Sequence, residues 1–277
     1  MNRLLVASFI IAFAVDVITP ILIARWIWRR WKPPVQIWLW GAAVFMGSQV
    51  LTRIPIVTYI QAQGGLREAL DRSFALYLAF TLALSLSAGL FEEGGRWIGY
   101  RYLVREHTTP NALLYGAGHG GLESIGIGAL IASTLASYLV LTVPALPGMN
   151  VLTPEQLKLL DEARAQFTAL AGWEPLLGGV ERVATQPVHL ALSLLVLRAF
   201  TRSARWWWVA LGAHTWLDFS TLLLARFATD RWGRSRGSLL VEGLVVIYGL
   251  AAVWVIRWLV RSGPPAAPQP PAASVPC

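Results

Sequence analysis

Seven stretches of this chain stay apolar for the length of a bilayer crossing: about 4–24, 36–58, 74–95, 112–143, 176–198, 205–226 and 239–260. A hydrocarbon core takes roughly 20 apolar residues to span as a helix. With no water there to satisfy backbone polar groups, only helices and closed barrels can cross it. These runs are continuous, not alternating, which excludes barrel strands and leaves helices. The expected fold class is therefore all-α: a polytopic membrane helical bundle of about seven transmembrane helices. An eighth is allowed, because Arg53 interrupts the second run and the fourth is too long for one straight crossing.

The bundle is expected to form a single domain over residues 1–261, with no room for a separate soluble module. Thr153 before Pro154, with Gln156 at the third helical position, has the form of a capping box. Leu157, Leu160, Phe167 and Leu170 recur at near-helical spacing among charged neighbours, so 153–170 reads as an amphipathic helix on the membrane surface or capping the bundle. The proline-rich tail, 262–277, cannot bury enough to fold and is expected to be disordered. Tryptophans gather at segment ends, as at Trp26, Trp28 and Trp206–Trp208, where rings anchor at the membrane–water interface.

The net charge of +8 sits in short loops, not on a soluble basic face, so lipid headgroups are its expected partner and nucleic acid is excluded. The single cysteine, Cys277, gives neither a disulfide framework nor a thiolate metal site. Alternating the seven runs puts twelve basic residues on one side and ten on the other. That small bias favours the side holding Arg29 and Arg202 as cytoplasmic, with the amino terminus outside.

Only 14% of the chain is charged, so the ionisable groups gathered in four of the apolar segments stand out. They are Glu92, Glu93 and Arg96; His119 and Glu123; His189; and His214 with Asp218. A charge at the bilayer centre costs at least about 2.5–3.5 kcal/mol, so such residues mark function by default. Counted from the same surface, His119 lies about 10 Å deep, and His189 and His214 about 14 Å, at 1.5 Å per residue. All four segments thus bring polar groups to one leaflet. Arg96 can pair with Glu92 or Glu93 at helical spacing. His119/Glu123 and His214/Asp218 are both i, i+4, which places a carboxylate where it can hold a histidine tautomer. Glu181 and Arg182 form a second-tier pair near His189. Gly116–Gly121 matches G-x-G-x-x-G, but no strand precedes it; its glycines serve helix contact or bending around His119 instead.

At these residues the chain resembles YhfC-type intramembrane proteases, a prokaryotic family similar in turn to the CAAX-prenyl-protease and PrsW superfamily. The carriers are Glu92-Glu93-Gly94-Gly95-Arg96, Gly118 to Glu123, Glu181-Arg182 with Pro187-Val188-His189, and His214 to Asp218, in that order over about 75–225. The resemblance implies a multi-pass protein of the cell membrane that hydrolyses a peptide bond of a membrane protein or peptide. In the glutamic-type mechanism it implies, Glu92 and His119 activate water and Arg96 holds the glutamates. His214 and Asp218 stabilise the oxyanion or position water, and His189 joins either group. In a metalloprotease version, His119, His189 and His214 with a carboxylate would hold zinc. The metal-free version is preferred, since each histidine has a role without an ion, so no cofactor is required.

The rival readings are a proton- or cation-coupled transporter and an inactive scaffold. No internal repeat is visible, and the ionisable groups share one depth without forming a file across the bilayer.

Overall fold

The computed structural model describes residues 2–142 and 153–262, and these are all-helical. The elements are α1 (Arg3–Trp31), α2 (Gln36–Phe45), a π-helical segment (Met46–Arg53), α3 (Ile54–Gln61), α4 (Leu66–Arg72), α5 (Phe74–Tyr102), α6 (Thr109–Leu141), α7 (Pro154–Thr168), α8 (Pro175–Thr201), α9 (Arg205–Trp232) and α10 (Arg234–Arg261). Six helical stretches are long and apolar enough to cross a membrane: α1, the run Gln36–Gln61, α5, α6, α8 and α10. The protein is a multi-pass integral membrane protein. Helix α9 has the same length but falls outside that set. Its His214, Asp218 and terminal arginines dilute an otherwise apolar helix.

The fourth apolar run does not break at its glycines; α6 is one continuous helix of 33 residues. Its glycines admit other helices instead. A Cβ added at Gly118 would lie 2.0 Å from the Trp38 carbonyl oxygen, and one at Gly41 would lie 2.1 Å from that of Tyr115. Helices α2 and α6 thus cross backbone to backbone, the small-residue contact that membrane helices use in place of a hydrophobic driving force. In α1, Pro20 has no N–H to offer the Asp16 carbonyl one turn earlier. Ser124 Oγ of α6 donates to that carbonyl at 2.8 Å, which satisfies the freed acceptor and ties the two helices together.

Helix α7 begins with the anticipated capping box: the Thr153 side chain accepts from the Gln156 backbone and the Gln156 side chain returns the bond. Phe167 and Leu170 pack on a small cluster of Leu5, Phe9 and Tyr138. The main core lies towards the opposite end of the bundle. There Tyr100 and Tyr115 lie 5.0 Å apart, among Ile27, Val104, Leu113 and Leu197. The proline-rich tail lies outside the described residues from 263 onward.

Candidate functional site

Helix α5 supplies the middle of the site. Its spacing turns Glu92, Glu93 and Arg96 inward together, and Glu93 and Arg96 are fully buried. Arg96 meets Glu93 through Nη1, and its Nη2 lies 3.2 Å from Glu92 Oε2. Guanidinium has five donors in a rigid fork, so one arginine can serve two carboxylates without leaving its own helix.

His119 of α6, also fully buried, places Nε2 3.0 Å from Glu92 Oε2, and its ring meets Phe45 edge-on. The i, i+4 partnership expected between His119 and Glu123 is not made. Glu123 turns to helix α8, where its Oε1 accepts from Arg182 Nη1 at 2.7 Å and its Oε2 lies 3.0 Å from His189 Nε2. That last pair is close without the alignment of a hydrogen bond. The α6–α8 crossing is tight enough that Gly120 is required: a Cβ there would lie 2.6 Å from the His189 ring.

His189 Nδ1 lies 2.8 Å from Arg96 Nη2. Arginine can only donate, so Nδ1 is the acceptor and the ring proton belongs on Nε2, facing Glu123. His189 therefore bridges two arginine–carboxylate clusters. Arg182 completes the second by also contacting Glu181. Glu181 and Arg182 are thus part of the site, closer than their second-tier reading suggested.

His214 of α9 places Nδ1 2.7 Å from Glu93 Oε1. Because Glu93 is a carboxylate held by Arg96, Nδ1 donates, and Nε2 is the nitrogen turned towards Glu92 and Asp218. That nitrogen lies 3.9 Å from Glu92 Oε1 and 3.7 Å from Asp218 Oδ2. Both separations are too long for direct hydrogen bonds and suit a bridging water. The expected His214–Asp218 pair is therefore an approach, not a bond; the anchor of His214 is Glu93.

These groups face a cavity of about 630 Å³. Glu92, Glu123, His189, His214 and Asp218 line it; Glu93, Arg96 and His119 stand behind its wall. The sequence reading passed over Gln49, whose Nε2 donates to Glu92 Oε1 at 3.2 Å and whose Oε1 accepts from Arg53 at 3.2 Å. Arg53 also donates to the Leu84 carbonyl at 2.9 Å and Ser87 at 3.0 Å. Both residues come from the π-helical segment, a feature that recurs at functional sites. The available signal was a glutamine four residues before the arginine that spoiled the second apolar run. Trp207, read only as an interfacial anchor, donates Nε1 to the Glu93 carbonyl at 3.0 Å.

A buried group that could hold a metal ion consists of Glu92, His119 and His189, whose donor atoms lie within 4.8 Å of one another. Of the expected set, His119 and His189 with a carboxylate belong to this group, and His214 lies outside it, facing Glu93. Two histidines and a carboxylate are a donor set that hydrolytic zinc uses with one position open. Type and number fit. Arg96 Nη2 touches Glu92 Oε2 and His189 Nδ1, so an ion here would share two of its three residues with a guanidinium.

A family model described as "YhfC intramembrane metalloprotease" matches residues 15–232. A relative from Bacillus subtilis (strain 168), named "Uncharacterized membrane protein YhfC", is 29% identical over 259 residues, which cover 90% of this chain and 93% of that protein. No solved structure matches.

Proposed function

Because the chain belongs to the YhfC intramembrane metalloprotease family, we propose that it is an intramembrane endopeptidase whose nucleophile is a water activated by Glu92. The observation that carries this is the way Glu92 is held. Oε2 is fixed by His119 and Arg96, while Oε1 is steadied by Gln49 and lies 3.9 Å from Nε2 of His214. A water in that gap has the Glu92 base on one side and the His214 ring on the other. Geometry of this kind is what general-base catalysis needs first.

In the reaction, the water oxygen attacks the peptide carbonyl carbon and Glu92 Oε1 takes its proton. The tetrahedral intermediate then loses the amine, and that proton passes from Glu92 to the departing nitrogen. His214, oriented by Glu93, stands where its protonated ring donates through Nε2 to the oxyanion, with Asp218 beside it. His119 acts through Glu92, not on water directly, since it lies behind the cavity wall. Removing a general base typically costs about 10²–10⁴-fold in rate.

The second reading is metal-dependent hydrolysis, favoured by the Glu92, His119 and His189 group and by the family's description. Those three residues would hold the ion, which would supply a water of lowered pKa. Arg96, in contact with two of the three donor residues, is why this reading stands second. Transport stands third, because the polar groups gather around one cavity.

The test is cleavage of membrane-segment peptides by purified protein in detergent, repeated with Glu92→Ala and His119→Ala. Cleavage that survives both substitutions sinks the mechanism. Stoichiometric zinc in that preparation, with activity lost to a chelator, would replace the first reading with the second. Ion flux in liposomes that needs Glu92, without cleavage, would replace both.

A further inference from the structure

The two ends of the bundle differ in charge compensation more than in charge count. One end gathers the termini of α1, α5, α8 and α10 and the starts of α2, α6 and α9. Contacts across it include Trp97 with Phe200 at 5.9 Å, Trp206 with Trp258 at 6.0 Å, and Arg198 with the Leu259 carbonyl. Its cations include Arg29, Arg30, Lys32, Arg101, Arg202 and Arg261, and Glu106 is the acid in its loops. Among the described residues, none of these cations lies within 4.0 Å of a carboxylate. At the other end, Glu68, Asp71, Asp161, Glu162, Glu174 and Asp230 each lie within that distance of a cation.

The insertion rule counts basic residues and is nearly blind to this difference. The surface potential of an anionic leaflet is not: it attracts each free Lys or Arg near it. The uncompensated end therefore belongs on the anionic, cytoplasmic leaflet. Lys32 over the Trp28 ring at 4.0 Å and Arg30 over the Trp31 ring at 5.5 Å place cations together with interfacial aromatics on that face.

The cavity is oriented against that face. Its nearest lining residues, Phe45, Leu192 and His214, are each about nine residues from the basic end of their own helices, roughly 13 Å at helical rise. From there it runs away from the basic face to Leu130, Glu181 and Leu222. The intervening space is filled by the main core, including Tyr100, Tyr115 and Leu197. The cavity is thus closed on the basic side, and its far part is lined by Ile127, Leu130 and Leu222 together with Arg53, Glu181 and Arg182.

We infer that the basic face docks on anionic headgroups of the cytoplasmic leaflet and that the Glu92 cavity is entered from the extracytoplasmic half of the membrane. On the proposed peptidase reading, the substrate is then a peptide segment presented from that half. The carboxyl end of α10 lies on the basic face, so Cys277, the one cysteine in the sequence, reports the sidedness of that end.

The experiment is labelling with a membrane-impermeant maleimide, in intact bacterial cells expressing the chain and in inside-out membrane vesicles. Cys277 is expected to label only in the vesicles; labelling in intact cells overturns the orientation. In a Cys277→Ser background, Leu130→Cys and Thr221→Cys each place a thiol on or beside the far part of the cavity. They are expected to label in intact cells. Labelling confined to vesicles, or absent from both preparations, overturns the entry route. None of these readouts depends on cleavage, so an inactive preparation tests the peptidase reading alone.

Discussion

Two arginines, each gripping two carboxylates, stand on either side of His189, and they are built differently. Arg96 is fully buried behind the cavity wall and ties Glu92 and Glu93, neighbours on its own helix, to His189. Arg182 lines the cavity and ties Glu123 of another helix to Glu181 beside it. The first cluster aims Glu92 Oε1 and His214 Nε2 at one gap. The second spends its bonds on joining α6 to α8 and brings Glu123 against the His189 ring. One cluster is organised to act on something in the cavity. The other is organised to hold the first in register.

That division is broken most directly at Arg96. Arg96→Met removes the partner of two buried carboxylates, and breaking a buried pair in this way typically costs about 3–5 kcal/mol. Thermal unfolding in detergent should show a large fall together with loss of cleavage. Arg182→Met is expected to cost less, because the cavity leaves Glu123 and Glu181 partly open to water. If Arg182→Met proves as damaging as Arg96→Met, the two clusters are equivalent and the division fails. Next in size is Gly120→Ala, whose added Cβ meets the His189 ring at 2.6 Å. Overpacking of this kind costs about 1–3 kcal/mol. It should weaken both clusters through the histidine they share, read as a lower unfolding temperature with reduced kcat.

How much of this was legible in the sequence follows the same division. The apolar runs marked every long helix, because lipid dictates length and hydropathy directly. Glu92, Glu93 and Arg96 were legible as a group, because partners on one helix at i+3 and i+4 must share a face. The same rule misled for His119 and Glu123. Sharing a face allows a contact, but both side chains found stronger partners on neighbouring helices, His119 at Glu92 and Glu123 at Arg182. The metal-capable group was legible in His119 and His189 but not in its third member, Glu92, because which residue joins them depends on helix rotation, which spacing within a helix does not encode. Gln49 was hidden more deeply. It faces Glu92 from a π-helical turn, and no periodicity of 3.6 assigns a face to residues wound at a different pitch.

Gln49 also gives the smallest effect and the sharpest comparison of the two clusters. Its amide joins Arg53 to Glu92 Oε1, the oxygen proposed to take the proton from water. Replacing it by alanine removes both bonds, and the loss of the one to Glu92, worth about 0.5–1.5 kcal/mol, is expected to give roughly a two- to twelvefold fall in kcat. The global fold should be unaffected, since Arg53 keeps its bonds to Leu84 and Ser87. Gln49→Glu is the stricter variant. It preserves size and can still accept from Arg53, but it sets a second carboxylate against Glu92 where a donor had been, so it should lower activity more than alanine does. Equal activity for the two variants would mean that Oε1 is not steered by that amide, and that Glu92 is positioned by His119 and Arg96 alone.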